Sequence, residues 1–524
     1  MRERHGPPGY GDFSLASSAI NRQGNVNVKH TRPAGPQLIA YADRCGGSVS
    51  GLRGLLEGQL EGVFGGVHLL PYFTPFDGVD AGFDPEDHTA VDPRLGTWGD
   101  IRELSASYTL MSDVIVNHVS ARSERFTDVV AHGDDSPWAP MFLTLSSVFP
   151  KGASEEDLAR IYRPRPGLPF TAMTWAGKRR LVWTTFTPEQ IDIDLTTPQA
   201  WAYIESVVDA LTNGGVTMLR LDAIGYTGKE AGTDCFMTPA TERYTQRIAQ
   251  MADERGAQVL LEVHGHHSQQ IEIARSVDYV YDFALPPLVL HALHAHDLEP
   301  LAAWFAIRPA NSVTVLDTHD GIGIVDVGES DLAPGVPGLL SPDQIDALVN
   351  AIHRASHGTS LAATGAAASN LDLYQVNCTF YDALGRDDDR YLLARLIQLM
   401  TPGIPQVYYV GLLAGSGDME LLERTGVGRN INRHHYSVSE IEKELERPVV
   451  AAQVDAIKLR NSHPAFEGEF AIHVEGTRGS MRWERGSAAV TLEFDVRAGT
   501  FELTASSEGG VAVRQELGAS RGRA

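Results

Sequence analysis

The sequence predicts an α/β fold: a (β/α)8 TIM barrel with segments inserted after its third and seventh strands and a small C-terminal β domain. Three observations point there. Short apolar runs recur along the chain, helical patterns lie between several of them, and ionisable residues collect where the runs end.

The runs are 38–41, 66–70, 113–117, 218–224, 259–263, 279–284, 312–316 and 406–410. Eight strands alternating with helices favour a closed parallel barrel over an open sheet. Between them, 198–213 carries Trp201, Ile204, Val208 and Leu211 on one stripe at the 3.6-residue period. Stretches 241–255, 342–355 and 389–400 read as helices in the same way. Two long gaps break the rhythm, each after a strand's C-terminal end, where barrels build their sites. The division expected is therefore 35–118, 195–320 and 371–466 for the catalytic barrel, 119–194 and 321–370 for the insertions, and 467–524 for a C-terminal β domain and tail. The alternation of Ala488, Val490, Leu492 and Phe494 marks that β domain. Residues 1–34 read as a flexible extension, without the apolar core of a secretory signal.

With 524 residues the chain exceeds one ordinary domain. A formal net charge of −24 argues against nucleic acid and anionic membrane as partners. Cys45, Cys235 and Cys378 stand far apart and match no metal-binding spacing, which suits buried thiols in a reducing compartment. No apolar run is long enough to cross a bilayer. The expected location is the cytoplasm.

The chemistry gathers at the strand ends. In Met218-Leu219-Arg220-Leu221-Asp222, Arg220 and Asp222 are two positions apart and share one face of a strand. A guanidinium beside Asp222 is expected to keep it ionised, as a nucleophile or electrostatic stabiliser requires. A buried ion pair without chemistry is the plain alternative for these two residues alone. Strand three ends at Asn117-His118, strand five at Glu262-Val263-His264, and strand seven at Asp317-Thr318-His319-Asp320. Three carboxylates and two histidines meeting at one mouth are costly to hold together without a use. Glycosyl transfer needs one nucleophilic and one proton-donating carboxyl at the anomeric carbon. Asp222 suits the first role; Glu262, after Val259, Leu260 and Leu261, is expected in apolar surroundings that suit a proton donor. Asp320 is left to stabilise a cationic transition state or to hold ring hydroxyls. Metal binding by the same groups is the competing use, but no His-x-x-x-His pair or clustered triad supports it.

Asp113-Val-Ile-Val-Asn-His118, Leu219-Arg-Leu-Asp-Ala223, Glu262 and Thr318-His-Asp320 together resemble the four short motifs of the α-amylase superfamily of glycoside hydrolases. Gly66-Val-His-Leu-Leu-Pro-Tyr72, Ala81-Gly-Phe-Asp-Pro85, Tyr162-Arg-Pro-Arg-Pro-Gly-Leu-Pro-Phe170, Thr187-Pro-Glu-Gln-Ile-Asp-Ile-Asp194 and Leu371-Asp-Leu-Tyr-Gln-Val-Asn377 narrow the resemblance to the sucrose phosphorylase family, over about 37–466. That resemblance implies a retaining double displacement. Asp222 attacks C1 of the glucosyl unit of sucrose, Glu262 protonates the departing fructose, and phosphate then takes the glucosyl group as α-D-glucose 1-phosphate, with Asp320 the stabiliser. It further implies that Asp80, His118, Arg220, His319, Asp372, Gln375 and Arg429 hold the sugar. Phe83 and Phe186 would wall the site and Gln190 line it.

Phosphate must be bound beside two carboxylates in an acidic protein, so a local arginine is expected. Arg165, in a proline-stiffened loop, is the candidate, with Tyr374 and His264 as further donors. A solvated loop anchor is the bland alternative for Arg163 and Arg165. The expected partners are sucrose, inorganic phosphate, fructose and glucose 1-phosphate, with a homodimer the one protein assembly considered. No metal or organic cofactor is needed by that chemistry. A sister phosphorylase acting on sucrose 6′-phosphate or glucosylglycerol, an α-glucosidase or transglucosidase, and a silent sugar-binding barrel are the alternatives. Two departures from the resemblance, Gly265-His266-His267 and Asn430 after Arg429, bear on the acceptor side.

Overall fold

In the computed structural model, residues 35–163, 167–330, 335–365, 375–507 and 513–515 are described. Eight parallel strands close into a barrel: β1 (Gln37–Ala40), β2 (Gly66–Leu69), β3 (Thr109–Ile115), β4 (Met218–Asp222), β5 (Gln258–Leu261), β6 (Tyr279–Asp282), β7 (Ser312–Thr314) and β8 (Ile404–Tyr408). Each pairs with the strands before and after it in sequence, and β8 pairs with β1 to complete the ring. All eight expected runs supply a barrel strand, and the four expected helices form at Pro198–Asn213, Pro239–Asp253, Pro342–Ala355 and Asp388–Met400. Ser and Thr N-caps at Thr197, Thr238 and Ser341 satisfy free N–H groups of the first three, each followed by a proline in the first turn.

Several strands stop short of the apolar run. β4 ends at Asp222, where Ala223 turns left-handed (φ 54°) into a 3-10 turn at Ile224–Tyr226. β5 ends at Leu261, so Glu262 lies just past the ladder. The runs outlast the strands because the turns that follow them are buried too, at Ile224, Val263, Phe283, Ala284, Val315 and Leu316.

After β3, two short antiparallel ladders, His118–Ser120 with Gln190–Asp192 and Phe170–Trp175 with Lys178–Trp183, build the first insertion. Lys229, buried after β4, ties it down by pairing with Asp192 at 2.7 Å and donating to Asn117 Oδ1 at 2.9 Å. Beyond the barrel, Glu469–Glu475, Arg478–Arg485, Ala488–Asp495, Thr500–Ser506 and Val513–Gln515 form a five-stranded antiparallel sheet. Its buried Met481, Trp483, Val490 and Leu492 join the core shared with the barrel, and Trp483 Nε1 donates to Met400 O at 2.7 Å.

The segment after β7 is braced from inside. Arg395, fully buried on the Asp388–Met400 helix, donates to Asp317 Oδ1 (3.1 Å), Tyr391 Oη (2.9 Å) and Gln453 Oε1 (2.7 Å). Gly411 packs so closely on the Asp317 carboxylate that a Cβ there would lie 1.8 Å from Oδ2. Replacing Arg395 with Met should leave Asp317 buried without its cation and cost about 3–5 kcal/mol of unfolding free energy. Urea denaturation would measure it, and a loss below about 1 kcal/mol would contradict the brace.

Candidate active site

The ladder between β3 and β4 sets Arg220 opposite Asp113. The two-residue period brings Asp222 to the same side, and the β4–β5 register brings Glu262 within reach. The result is one guanidinium shared by three carboxylates. Arg220 Nη1 donates to Asp113 Oδ1 at 2.6 Å and to Asp222 Oδ1 at 2.9 Å, while Nη2 meets Glu262 Oε1 at 2.7 Å. Asp113 takes a second partner, His68 Nε2, at 3.1 Å. Glu262 Oε2 accepts from the backbone N–H of Ala223 at 3.2 Å, an N–H exposed by the left-handed turn.

Two expectations change here. Arg220 does not set Asp222 alone: burial and the facing Glu262 charge push the Asp222 carboxyl well above its usual range, against the pull of Arg220. One guanidinium faces three carboxylates, and its hydrogen bond to Asp222 does not offset burial there. Glu262 is also not set among apolar groups; its two oxygens meet a guanidinium and a backbone N–H.

A second cluster stands after β7. Arg429 grips Asp80 with Nη2 at 2.8 and 2.9 Å and donates from Nη1 to Asp320 Oδ1 at 2.5 Å. Arg433 lies 3.7 Å from Asp80 and 3.6 Å from Asp320. Burial pushes Asp320 up, but His319, Arg429 and Arg433 outweigh it and hold the carboxyl well below its usual range. His319 is itself pushed by burial down to about 3, so near neutral pH the two arginines keep Asp320 charged. Asn432 donates to Thr318 O (2.7 Å) and Arg433 Nε to His319 O (2.8 Å), which pins the backbone carrying the third carboxylate.

These groups line one cleft of about 820 Å³, its open mouth included. Asp80, Phe83, His118, Phe186, Gln190, Asp222, Glu262, His264, His319, Asp320, Gln375 and Arg429, all singled out from sequence, border it, and Arg220 lies beneath. Phe83 stacks on His319 with ring centres 4.6 Å apart and planes 10° apart. His118 Nε2 lies 2.9 Å from Phe83 O, its ring meets Phe186 edge-on at 5.4 Å, and burial lowers its basicity. Asp372, Tyr374 and Arg165 lie outside the described residues. The loop-anchor reading fits Arg163, which donates to Leu168 O at 2.5 Å and Gly167 O at 3.2 Å.

Sequence reasoning missed Tyr226 and Phe236, which wall the cleft. Phe236 lies on Gly225 so closely that a Cβ there would come within 2.6 Å of its ring. Their signal was faint: aromatics in an irregular stretch with no periodicity. It also assigned nothing to His68 or Arg433, and no role to Asp113, which become legible only through register. Of the two departures, Asn430 donates to Thr425 Oγ1 at 3.0 Å and does not border the cleft. His266 borders an adjoining cavity with Tyr162, Phe236 and His264. Among the described residues no group of three His, Cys, Asp or Glu side chains is arranged to hold a metal ion.

Two carboxyls bridged by one arginine, a third carboxylate kept charged, and an arginine–aspartate clamp suit acid-assisted displacement at a sugar's anomeric carbon. The catalytic-domain model of the α-amylase family matches residues 62–283. The sucrose phosphorylase of Bifidobacterium adolescentis is 54% identical over 88% of this chain and 92% of its own length. The sucrose phosphorylase of Agrobacterium vitis is 55% identical over 90% and 96%. The crystal structure of sucrose 6F-phosphate phosphorylase from Thermoanaerobacter thermosaccharolyticum superposes with a TM-score of 0.85 at 35% identity, covering 93% of this chain and 99% of that one.

Burial pushes Asp113 up, but His68 and Arg220 beside it prevail and hold its carboxyl down at about 2. A carboxyl depressed in the folded state stabilises above its unfolded value near 4, and that contribution is lost as pH falls through about 2. Unfolding free energies of the native chain and of Asp113→Asn should therefore converge by roughly 2 kcal/mol between pH 5 and pH 2. A gap that stays constant with pH would contradict the assignment.

Proposed function

The chain belongs to the sucrose phosphorylase family of the α-amylase superfamily, and from that premise we propose that it catalyses reversible phosphorolysis of sucrose to α-D-glucose 1-phosphate and fructose. The observation that carries this reading is the Arg220 bridge, which joins the would-be nucleophile and the would-be acid through two nitrogens of one side chain.

In the first half-reaction an ionised Asp222 oxygen attacks C1 of the glucosyl unit. The C1–O bond to fructose breaks as Glu262 gives its proton to the leaving oxygen. This requires the proton of the pair to sit on Glu262 once sucrose is bound. Arg220 touches both carboxyls, so moving the proton between them leaves each with a hydrogen bond. In the second half-reaction a phosphate oxygen attacks C1, the ester to Asp222 breaks, and the phosphate hydroxyl proton returns to Glu262. Two displacements restore the starting configuration. Asp320, kept anionic by Arg429 and Arg433, faces the positive charge that develops at the anomeric carbon. The Asp80–Arg429 pair, His118 and His319 bind the glucosyl hydroxyls, with Phe83 and Phe186 as walls.

The cytoplasm is the proposed location, supported by three buried cysteines that are all free. A sister phosphorylase taking sucrose 6′-phosphate or glucosylglycerol is the second reading, the former supported by the superposition on a sucrose 6F-phosphate phosphorylase.

Incubation with phosphate and a panel of sucrose, sucrose 6′-phosphate and glucosylglycerol should release glucose 1-phosphate fastest from sucrose; free glucose at a rate indifferent to phosphate would mark a hydrolase instead. Asp222→Asn should lower kcat for phosphorolysis by roughly 10⁴-fold. Turnover within ten-fold of the native chain would remove Asp222 as nucleophile.

A further inference from the structure

His264 stands two positions after Glu262 and borders the main cleft and both smaller cavities beside it. Its ring is held from two sides. Phe283 stacks on it with centres 3.9 Å apart and planes at 15°, and Nδ1 lies 3.1 Å from Asp326 Oδ2. Asp326 sits in the Val325–Val327 turn of the long segment after β7 and is fully buried. Its other oxygen accepts from Gly265 N at 3.2 Å and Gln270 Nε2 at 2.9 Å. His264 is the one ionisable base paired with it among the described residues.

Facing a carboxylate oxygen, Nδ1 carries the hydrogen, which leaves Nε2 as the ring's other polar atom. Among the described residues, the titratable and charged groups that face the ring or share a cavity with it are Asp326 from its turn, Glu262 after β5, Asp320 and His319 after β7, Asp222 and Arg220 on β4, His68 on β2, Tyr281 on β6, Asp80, His118, Tyr226 and Arg429 in the main cleft, and Tyr162 and His266 across the third cavity. Burial lowers the basicity of His264, but Asp326 first, then Glu262 and Asp320, raise it beyond its ordinary value.

We propose that Asp326 is a positioning residue for the anionic acceptor: it fixes His264 as an imidazolium whose Nε2–H meets inorganic phosphate beside the glucosyl ester. The inference rests on the phosphorolysis reading. It extends that reading to a buried carboxylate that touches no substrate. Phosphate entering a cleft of four carboxylates needs a donor whose charge and direction are set in advance, and the Asp326–His264 pair supplies both. Water and fructose carry no charge, so they gain far less from it.

Steady-state phosphorolysis by the native chain, D326N, H264Q and the double variant tests this, with glucose 1-phosphate as readout. D326N should raise the phosphate KM roughly ten-fold at pH 6.5 and move the sucrose KM less than about two-fold. The His264 charge is present at low pH and lost as pH rises through its raised value. The ratio of variant to native phosphate KM should therefore shrink from pH 6 to pH 8, phosphate's own ionisation cancelling in the ratio. In the H264Q background, D326N should add nothing. Equal rises in both KM values, a ratio flat with pH, or additive effects would overturn the proposal and leave Asp326 a loop anchor.

Should D326N fail to fold, imidazole 15N spectra of the native chain, assigned with H264Q, should show an imidazolium at pH 6.5 that shifts on adding inorganic phosphate; a neutral ring with hydrogen on Nε2 would overturn it. If the native chain makes no glucose 1-phosphate at all, the function is wrong, whereas normal native turnover with an unselective D326N defeats this inference alone.

Discussion

One guanidinium serves three carboxylates, and the geometry of the cleft depends on that shortage of positive charge. Arg220 reaches Asp113, Asp222 and Glu262 because β3, β4 and β5 lie side by side in register at the mouth of a closed barrel. Asp113 is sealed at the base with His68 as a second partner. Asp222 and Glu262, nearer the cleft, must share what remains. The Asp222 carboxyl is pushed up as a result, and two closely paired carboxyls are what a site that needs both an acid and a nucleophile uses.

The second cluster solves the opposite problem. Arg429 and Arg433 face Asp80 and Asp320, two cations to two anions, and Asp320 stays ionised. Neighbouring carboxylates in one cleft therefore have different charge states because their arginine partners are counted differently. Both arrangements need rigid backing. The Arg395–Asp317 brace and the Asn432 and Arg433 bonds to the β7 turn hold one side, and the Lys229–Asp192 pair holds the insertion on the other.

Much of this was legible in the residues. The eight apolar runs each yielded a barrel strand because a strand buried on both faces must be apolar along its length. The shared face of Arg220 and Asp222 followed from the two-residue period. What lay hidden depends on contacts distant in sequence. Nothing local shows that Asp113, 107 residues before Arg220, would be its closest partner, or that Asp222 would be pushed up rather than down. The apolar run before Glu262 suggested an apolar setting, yet Val259, Leu260 and Leu261 are buried in the core while the Glu262 carboxylate meets a guanidinium and a backbone N–H. Tyr226 and Phe236 occupy irregular backbone, where no period betrays which way a side chain turns.

The most direct measurement is a crystal structure of the Glu262→Gln variant soaked with sucrose. The account predicts the glucosyl C1 about 3 Å from an Asp222 oxygen, with the glycosidic oxygen beside residue 262 and the sugar hydroxyls on Asp80, Arg429 and His118. Sucrose bound with C1 turned away from Asp222, or nearer to Asp320, would contradict it.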